Sequence, residues 1–533
     1  TIAITSSSTA TPAISLVGTS KDNRGVWLGD GTGNSPLAGT VLLQSTSTSG
    51  GGITLEGSSS RASGDTPGLD LWGTDTNGFQ DYQILSNGGD VFLVSKLNTA
   101  NSVVNVRAPM ELATRTSTTA VQGVSPIVGS TSVATIIQAD KKISFTSDIS
   151  GEGTLEIVPF TSGRSIGIES ASDLTLEGLD KLTSSFSSIT VGDANVNGVV
   201  STSPITVNSD TFFHSGSAGL NFSDTFTSNA NDVSFEVATD SSVAALSLSS
   251  GALTKAGAGS LNLTVANTYS GATSLNGGVV QLSDTGSLGS TNALNFNGGA
   301  AKFSVSASVP SVPMVLNSGG GAVEIDTGLN VNLSNTISGS GAFTKKGAGT
   351  LTLSGSNTYS GPTRIDAGTL SVSGSLSDST AVNVGASGTY ALSADDTVGS
   401  IEGSGAINLG SSELTSGGLN TNTTYSGVKS GTGGIRKSGS GTLTLSGANT
   451  YSGPTRIDGG TLSVSGSLSD STAVNVGASG TYALSADDTV GSIEGSGAIN
   501  LGSSELTSGG EVNTTATYSG EISGTGGMRK LGS

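Results

Sequence analysis

Two pairs of adjacent carboxylates, Asp395-Asp396 and Asp487-Asp488, are the residues whose type and spacing most invite acid–base chemistry. A pair of carboxyl groups flanking a scissile bond is the apparatus of glycoside hydrolysis. Both pairs, however, lie in nearly identical surroundings, and an enzyme rarely needs two identical sites in tandem, so they read as solvated turns. His214 is the single histidine and cysteine is absent, which removes Cys–His pairs and multi-histidine zinc sites. A Ser-His-Asp triad would have to use His214, and no GxSxG elbow lies near it. Residues 29–34 and 192–198 are rich in Gly, Asp and Asn, as calcium loops are. Neither ends in the bidentate Glu of an EF-hand, and the calcium-binding nonapeptide repeat is missing. No cofactor is expected; calcium at these two loops is the only candidate.

The elements that would carry any such site are strands. Apolar residues alternate in short runs, Leu351 and Leu353, Leu370 and Val372, Val382 and Val384, Ile407 and Leu409. That period of two marks strands with one buried face. Between the runs stand clusters of Gly, Ser and Asn, which supply turns. Residues 179–186 form the best candidate for a helix, and it is short. The 533 residues include 81 Gly, and only 11% are charged. A chain of this length exceeds one ordinary globular core and suits an architecture that grows in one direction. The net charge of −19 argues against nucleic acid or an anionic membrane as main partner, since both need a positive footprint. No apolar run is long enough to cross a membrane as a helix.

Internal repetition dominates the second half. Residues 349–418 recur at 441–510 with two changes, Ser356 to Ala448 and Ala367 to Gly459, and an older copy starts near Lys255. Taking Lys255, Lys346, Ser438 and Leu531 as starting points gives intervals of 91, 92 and 93 residues. The chain divides on this basis into N-terminal coils 1–254, units at 255–345, 346–437 and 438–530, and the start of a further unit at 531–533. The extra residue of the last unit falls in a loop at 511–513, and the register predicts another GTLTLSG strand beyond Ser533. A unit that tolerates tandem duplication must stack on itself, as solenoid coils do. The motif NTYSG places Asn267, Asn357 and Asn449 at equivalent turns, with Tyr269, Tyr359 and Tyr451 two residues on. The amides suit backbone groups at a turn, and the rings suit a packed corner rather than a sugar platform. The basic pairs Lys345-Lys346, Arg436-Lys437 and Arg529-Lys530 precede the GTLTL strands and are expected to face solvent at corners. Rows of Thr such as Thr350, Thr352, Thr442 and Thr444 are ordinary outward strand chemistry, not an ice-binding face.

Residues 346–370, KGAGTLTLSGSNTYSGPTRIDAGTL, closely resemble the autotransporter passenger-associated β-helical strand repeat, as do 255–280 and 437–462. Residues 165–200 resemble filamentous-haemagglutinin-type adhesins more loosely. The resemblance implies an all-β fold, a right-handed parallel β-helix with three strands per coil, elongated as a rod, with about four coils in each 92-residue unit. It also implies a secreted or cell-surface protein of a Gram-negative-type bacterium that serves as stalk, filament or adhesin without catalysis. The alternative is a carbohydrate-active β-helix enzyme, a tailspike-like lyase or glycosidase. Expected partners are other copies of the chain, in fibres or a surface layer, and a glycan or other surface ligand.

Overall fold

Short alternating strands with Gly-rich corners have one efficient way to bury their apolar faces: each coil lies on the previous one and pairs with it in parallel. The computed structural model describes residues 162–184, 186–306, 312–509 and 516–531, and before them a series of strands from Ile2–Ser6 to Thr154–Pro159. Strands make up nearly all of its regular structure; the single helical element among the described residues is a 3₁₀ turn, Leu179–Lys181. The chain forms two units. The first is 1–273 with 277–279 and 286–291; the second is 274–276, 280–285 and 292–533. Each is a β-solenoid of parallel strands.

In the first unit, Ser188–Val191, Thr211–Ser215, Val233–Val237 and Leu253–Ala256 pair in succession. Ile189 lies beside Thr211, Thr211 beside Val233, and Val233 beside Leu253, a coil step of 20 to 22 residues. Three strands complete a coil, and neighbours can fuse: Leu220–Ser228 pairs with both Gly198–Ser201 and Ile205–Val207. Phe213, Phe222, Phe226 and Phe235 meet inside with ring centroids 5.2–6.3 Å apart.

In the second unit the inward positions of each strand form columns, such as Leu351, Leu370 and Tyr390, all without solvent exposure. Burying each aliphatic of this kind contributes about 1.5–3 kcal/mol before entropy. The duplicated unit does not contain a whole number of coils. The column through Lys345 continues to Ile365, Val384, Gly403, Tyr425 and Leu445. Its counterpart Lys437 lies in another column, between Ser416 and Ile457. The copy at 438–530 is therefore turned relative to the one at 346–437, which a unit of about four whole coils would not be.

Corners are where coils approach most closely, and glycine is required there for space. A Cβ on Gly361 would stand 2.2 Å from Gly341 O, and one on Gly453 2.3 Å from Gly433 O. The obstacle is backbone, so it yields only if the coils separate. Gly361→Ala should lower stability by about 1–3 kcal/mol, read as a reduced urea midpoint; an unchanged midpoint would show that the coils do not pack at this spacing.

Candidate functional site

The residues singled out by the repeat converge on an interior network rather than on a cleft. Asn267, Asn357 and Asn449 are buried. The side-chain oxygen of each accepts a backbone N–H from the preceding coil: Leu246 N at 2.7 Å, Ile337 N at 3.0 Å and Lys429 N at 3.3 Å. The amide donates forward, to Ser287 O, Ser375 O and Ser467 O. One side chain thus ties three successive coils, which a buried polar group must do to offset its desolvation.

Tyr269, Tyr359 and Tyr451 are buried too. Their hydroxyls meet Thr273, Thr363 and Thr455 at 2.9, 2.6 and 2.6 Å. Those threonines meet Thr291, Thr380 and Thr472, which donate to Gly271 O, Gly361 O and Gly453 O. A relay of hydroxyls ends on the carbonyl of the same glycine that the corner demands. Burial pushes the Tyr269 phenol up to about 12, so it remains a donor throughout the ordinary range.

Lys345 and Lys437 are not at solvent-facing corners, contrary to expectation; Lys346, Arg436, Arg529 and Lys530 are exposed. Lys345 stands between Val323 and Ile365 in an inward column, so its methylene stem replaces an aliphatic side chain. Its ammonium reaches the corner and donates to Lys346 O, Gly347 O and Ala367 O at 2.7, 2.8 and 3.2 Å. Lys437 makes the same three bonds to Ser438, Gly439 and Gly459, and Lys255 to Ala256, Gly257 and Gly277. The third acceptor always lies 22 residues ahead, in the next coil. In the later copies it falls where the ladder breaks register, between Ile365 and Ala367 and between Ile457 and Gly459. This geometry aligns Lys255 with Lys345, making the first repeat interval 90 residues rather than 91. Burial brings Lys255 and Lys345 down to about 8, partly opposed by Glu236 and Glu324.

The carboxylate pairs also depart from a solvated turn. In each, the first member is exposed and the second buried, as alternation along a strand dictates. Asp395 and Asp487 accept from Glu413 N and Glu505 N. Asp396 accepts from Tyr390 OH, Leu376 N and Thr397 N, and Asp488 from Tyr482 OH, Leu468 N and Thr489 N. Like the asparagines, Asp396 reaches back 20 residues to a buried backbone donor. Burial raises both carboxyls above their ordinary range, although these hydrogen bonds oppose it.

His214 lies on the strand Thr211–Ser215, its Nε2 4.0 Å from Glu236. Asp193 turns its carboxylate onto Asn195. Among the described residues, no three His, Cys, Asp or Glu side chains converge as metal ligands; residues 29–34 and 511–513 lie outside the described residues. No helix of the described residues is long and apolar enough to cross a membrane.

Residues 253–282, 343–372 and 435–464 match the family described as passenger-associated-transport-repeat. The chain carries three passenger-associated transport repeats. In these repeats the chain is similar to autotransporter passengers. An adhesin, "Adhesin BmaC autotransporter" of Brucella suis biovar 1 (strain 1330), is 32% identical over 306 residues, covering 51% of this chain and 9% of that protein. The chain thus spans less than a tenth of the length of the curated relative it matches. No solved structure matches. Each passenger repeat begins two residues before its clamping lysine and includes the Asn, Tyr and first Thr of the network. The closing Thr and the buried Asp lie beyond its end. Sequence reasoning found the Asn and Tyr positions and missed the lysines; their signal was one Lys kept at the same offset before every GTLTL-type strand, inside an alternating run.

Two predictions follow from the network. Lys345→Met keeps the stem and leaves three carbonyls without their donor, so it should cost about 2–4 kcal/mol in denaturant unfolding; a cost near zero would mean the ammonium is not a clamp. The folded-state pKa of Asp396 and Asp488 lies above the unfolded value, so their contribution is present in acid and lost as pH rises through the raised pKa. The wild-type urea midpoint should therefore increase on acidification from neutral pH toward 4, and Asp396→Asn with Asp488→Asn should reduce that increase. Equal pH profiles would contradict the assignment.

Proposed function

We propose that this chain is part of the extracellular passenger of a Gram-negative surface protein, and that it acts as a non-catalytic stalk and adhesive body. One observation carries this reading: the residues most constrained by the repeat, Lys, Asn, Tyr, Thr and Asp, are consumed by coil-to-coil hydrogen bonds. A catalytic repeat would aim some of them outward at a shared groove. The name of the Brucella suis relative supports adhesion as the role, and the net charge of −19 suits a partner other than nucleic acid. Exposed rows of Ser, Thr and Asn on the coil walls offer hydrogen-bonding surface to a glycan or protein ligand, and self-association along the stack is the further partnership this architecture favours.

The test is made on cells. Protease treatment of intact bacteria producing the full protein should remove the segment without lysis. Deletion of residues 255–530 in frame should reduce adherence to host-cell monolayers while the remainder still reaches the surface. Full protection from protease, or adherence unaffected by the deletion, would overturn the proposal. Turnover of a polysaccharide panel by the purified chain would favour the enzyme instead.

A further inference from the structure

The two nearly identical blocks, 346–418 and 438–510, are joined by a coil at 419–437 that differs from its sister at 327–345 in four inward positions; one of them, Leu333 against Tyr425, stays buried in both, and the other three lose apolar packing. Both coils lead into the same strand, so their residues can be matched one for one: Val331 pairs with Leu351 where Thr423 pairs with Leu443. Val331 is 1% exposed, whereas Thr423 is half-buried. Phe343 becomes the smaller Ile435, and Ile337 becomes Lys429. The sister residues Ile337 and Lys429 each donate a backbone N–H to the side chain of the following Asn, 20 residues ahead. The next copy has Ile522 at this position, in the same SG-spaced motif.

Lys429 is unlike the clamping lysines. It is 1% exposed, yet its ammonium has no hydrogen-bond partner. The neighbour it meets is the face of Tyr425, with the nitrogen 3.7 Å from the ring centroid; the Tyr425 hydroxyl is turned away to Gly405 O at 2.6 Å. Ile407 flanks it in the coil before and Asn449 in the coil after. Burial pushes its amine well below the lysine range, and no carboxylate opposes that shift. An unpaired buried amine is costly, and one aromatic face compensates little of it. The same coil also exposes Leu419 and Val428, and its strand Lys429–Ser430 is two residues long where Ile337–Gly339 is three.

We propose that the coil 419–437 is a built-in weak seam, which opens locally before the coils on either side and lets the two flanking blocks come apart as intact segments. In a solenoid, stability is a sum over coils and nearest-neighbour contacts. A coil that replaces Val, Ile and Phe by Thr, Lys and Ile, with only Leu333 to Tyr425 going the other way, lowers both its own contribution and those of two interfaces. The near-identity of the blocks sharpens the contrast, because they share one internal stability and the junction alone differs.

Native-state hydrogen exchange on the full chain, read by mass spectrometry, tests this. Amides of 419–437 should exchange about tenfold faster or more than the matched amides of 327–345. Thr423→Val with Lys429→Ile, the residues of the sister coil, should bring the two coils to within about twofold. The converse variant Ile337→Lys should transfer fast exchange to 327–345; if it fails to fold, the double variant decides alone. Equal protection of the two coils in the wild type would overturn the proposal, as would fast exchange persisting in the double variant.

Discussion

A parallel stack obliges every residue to match its neighbour one coil away, and the sequence shows what happens where backbone alone cannot do so. Along the strands, N–H and C=O groups pair with the coils above and below, and inward side chains form columns. At corners the ladder breaks, and donors and acceptors are left inside the protein, where an unmade hydrogen bond costs about 1–3 kcal/mol. Each repeat brings its own remedy. Asn357 satisfies Ile337 N behind it and Ser375 O ahead. Lys345 collects three carbonyls, and the Tyr359–Thr363–Thr380 relay ends on Gly361 O. Polar residues here are the fastening between coils, and the hydrophobic columns supply the bulk of the stabilisation between them. The absence of cysteine is consistent with this: fastening is non-covalent and repeated.

The fold was legible because its two signals are local. Alternation in runs such as Leu351 and Leu353 gave the strands, and near-perfect duplication gave stacking. The polar interior was legible only in part. Asn in NTYSG reads as a turn residue from its type, and the structure shows it buried, bonded to backbone groups of the coils before and after. The same reasoning misplaced Lys345 and Asp396, because charge normally signals exposure. Their true address was written in their phase: Lys345 follows Phe343 by two, and Asp396 precedes Val398 by two, on the inward side of alternating strands. What no pattern in one sequence supplies is the partner, since the acceptor Ala367 O and the donor Leu376 N lie 20 or more residues from the side chains they meet.

Phase also separates repeat from coil, with consequences for function. Because 92 residues do not make a whole number of coils, Lys345 and Lys437 belong to different columns. Surface features move with them. Arg364 and Asp366, which pair with each other, and their copies Arg456 and Asp458, which pair with Glu413 and Arg436 instead, lie on different faces of the wall. A ladder of identical binding sites along one face, such as a processive enzyme or a crystal-binding surface would use, is not what this duplication produces. It distributes equivalent outward residues around the circumference while keeping the polar fastening of each copy, such as Lys345 and Lys437 on their three carbonyls. Selection on the interior explains both facts: duplicating the unit lengthens the stack by coils that bring their own fastening, whichever way each copy faces. A role that depends on extent and on a wall of modest polar residues is compatible with that geometry, and one that depends on a fixed alignment of repeated outward groups is not.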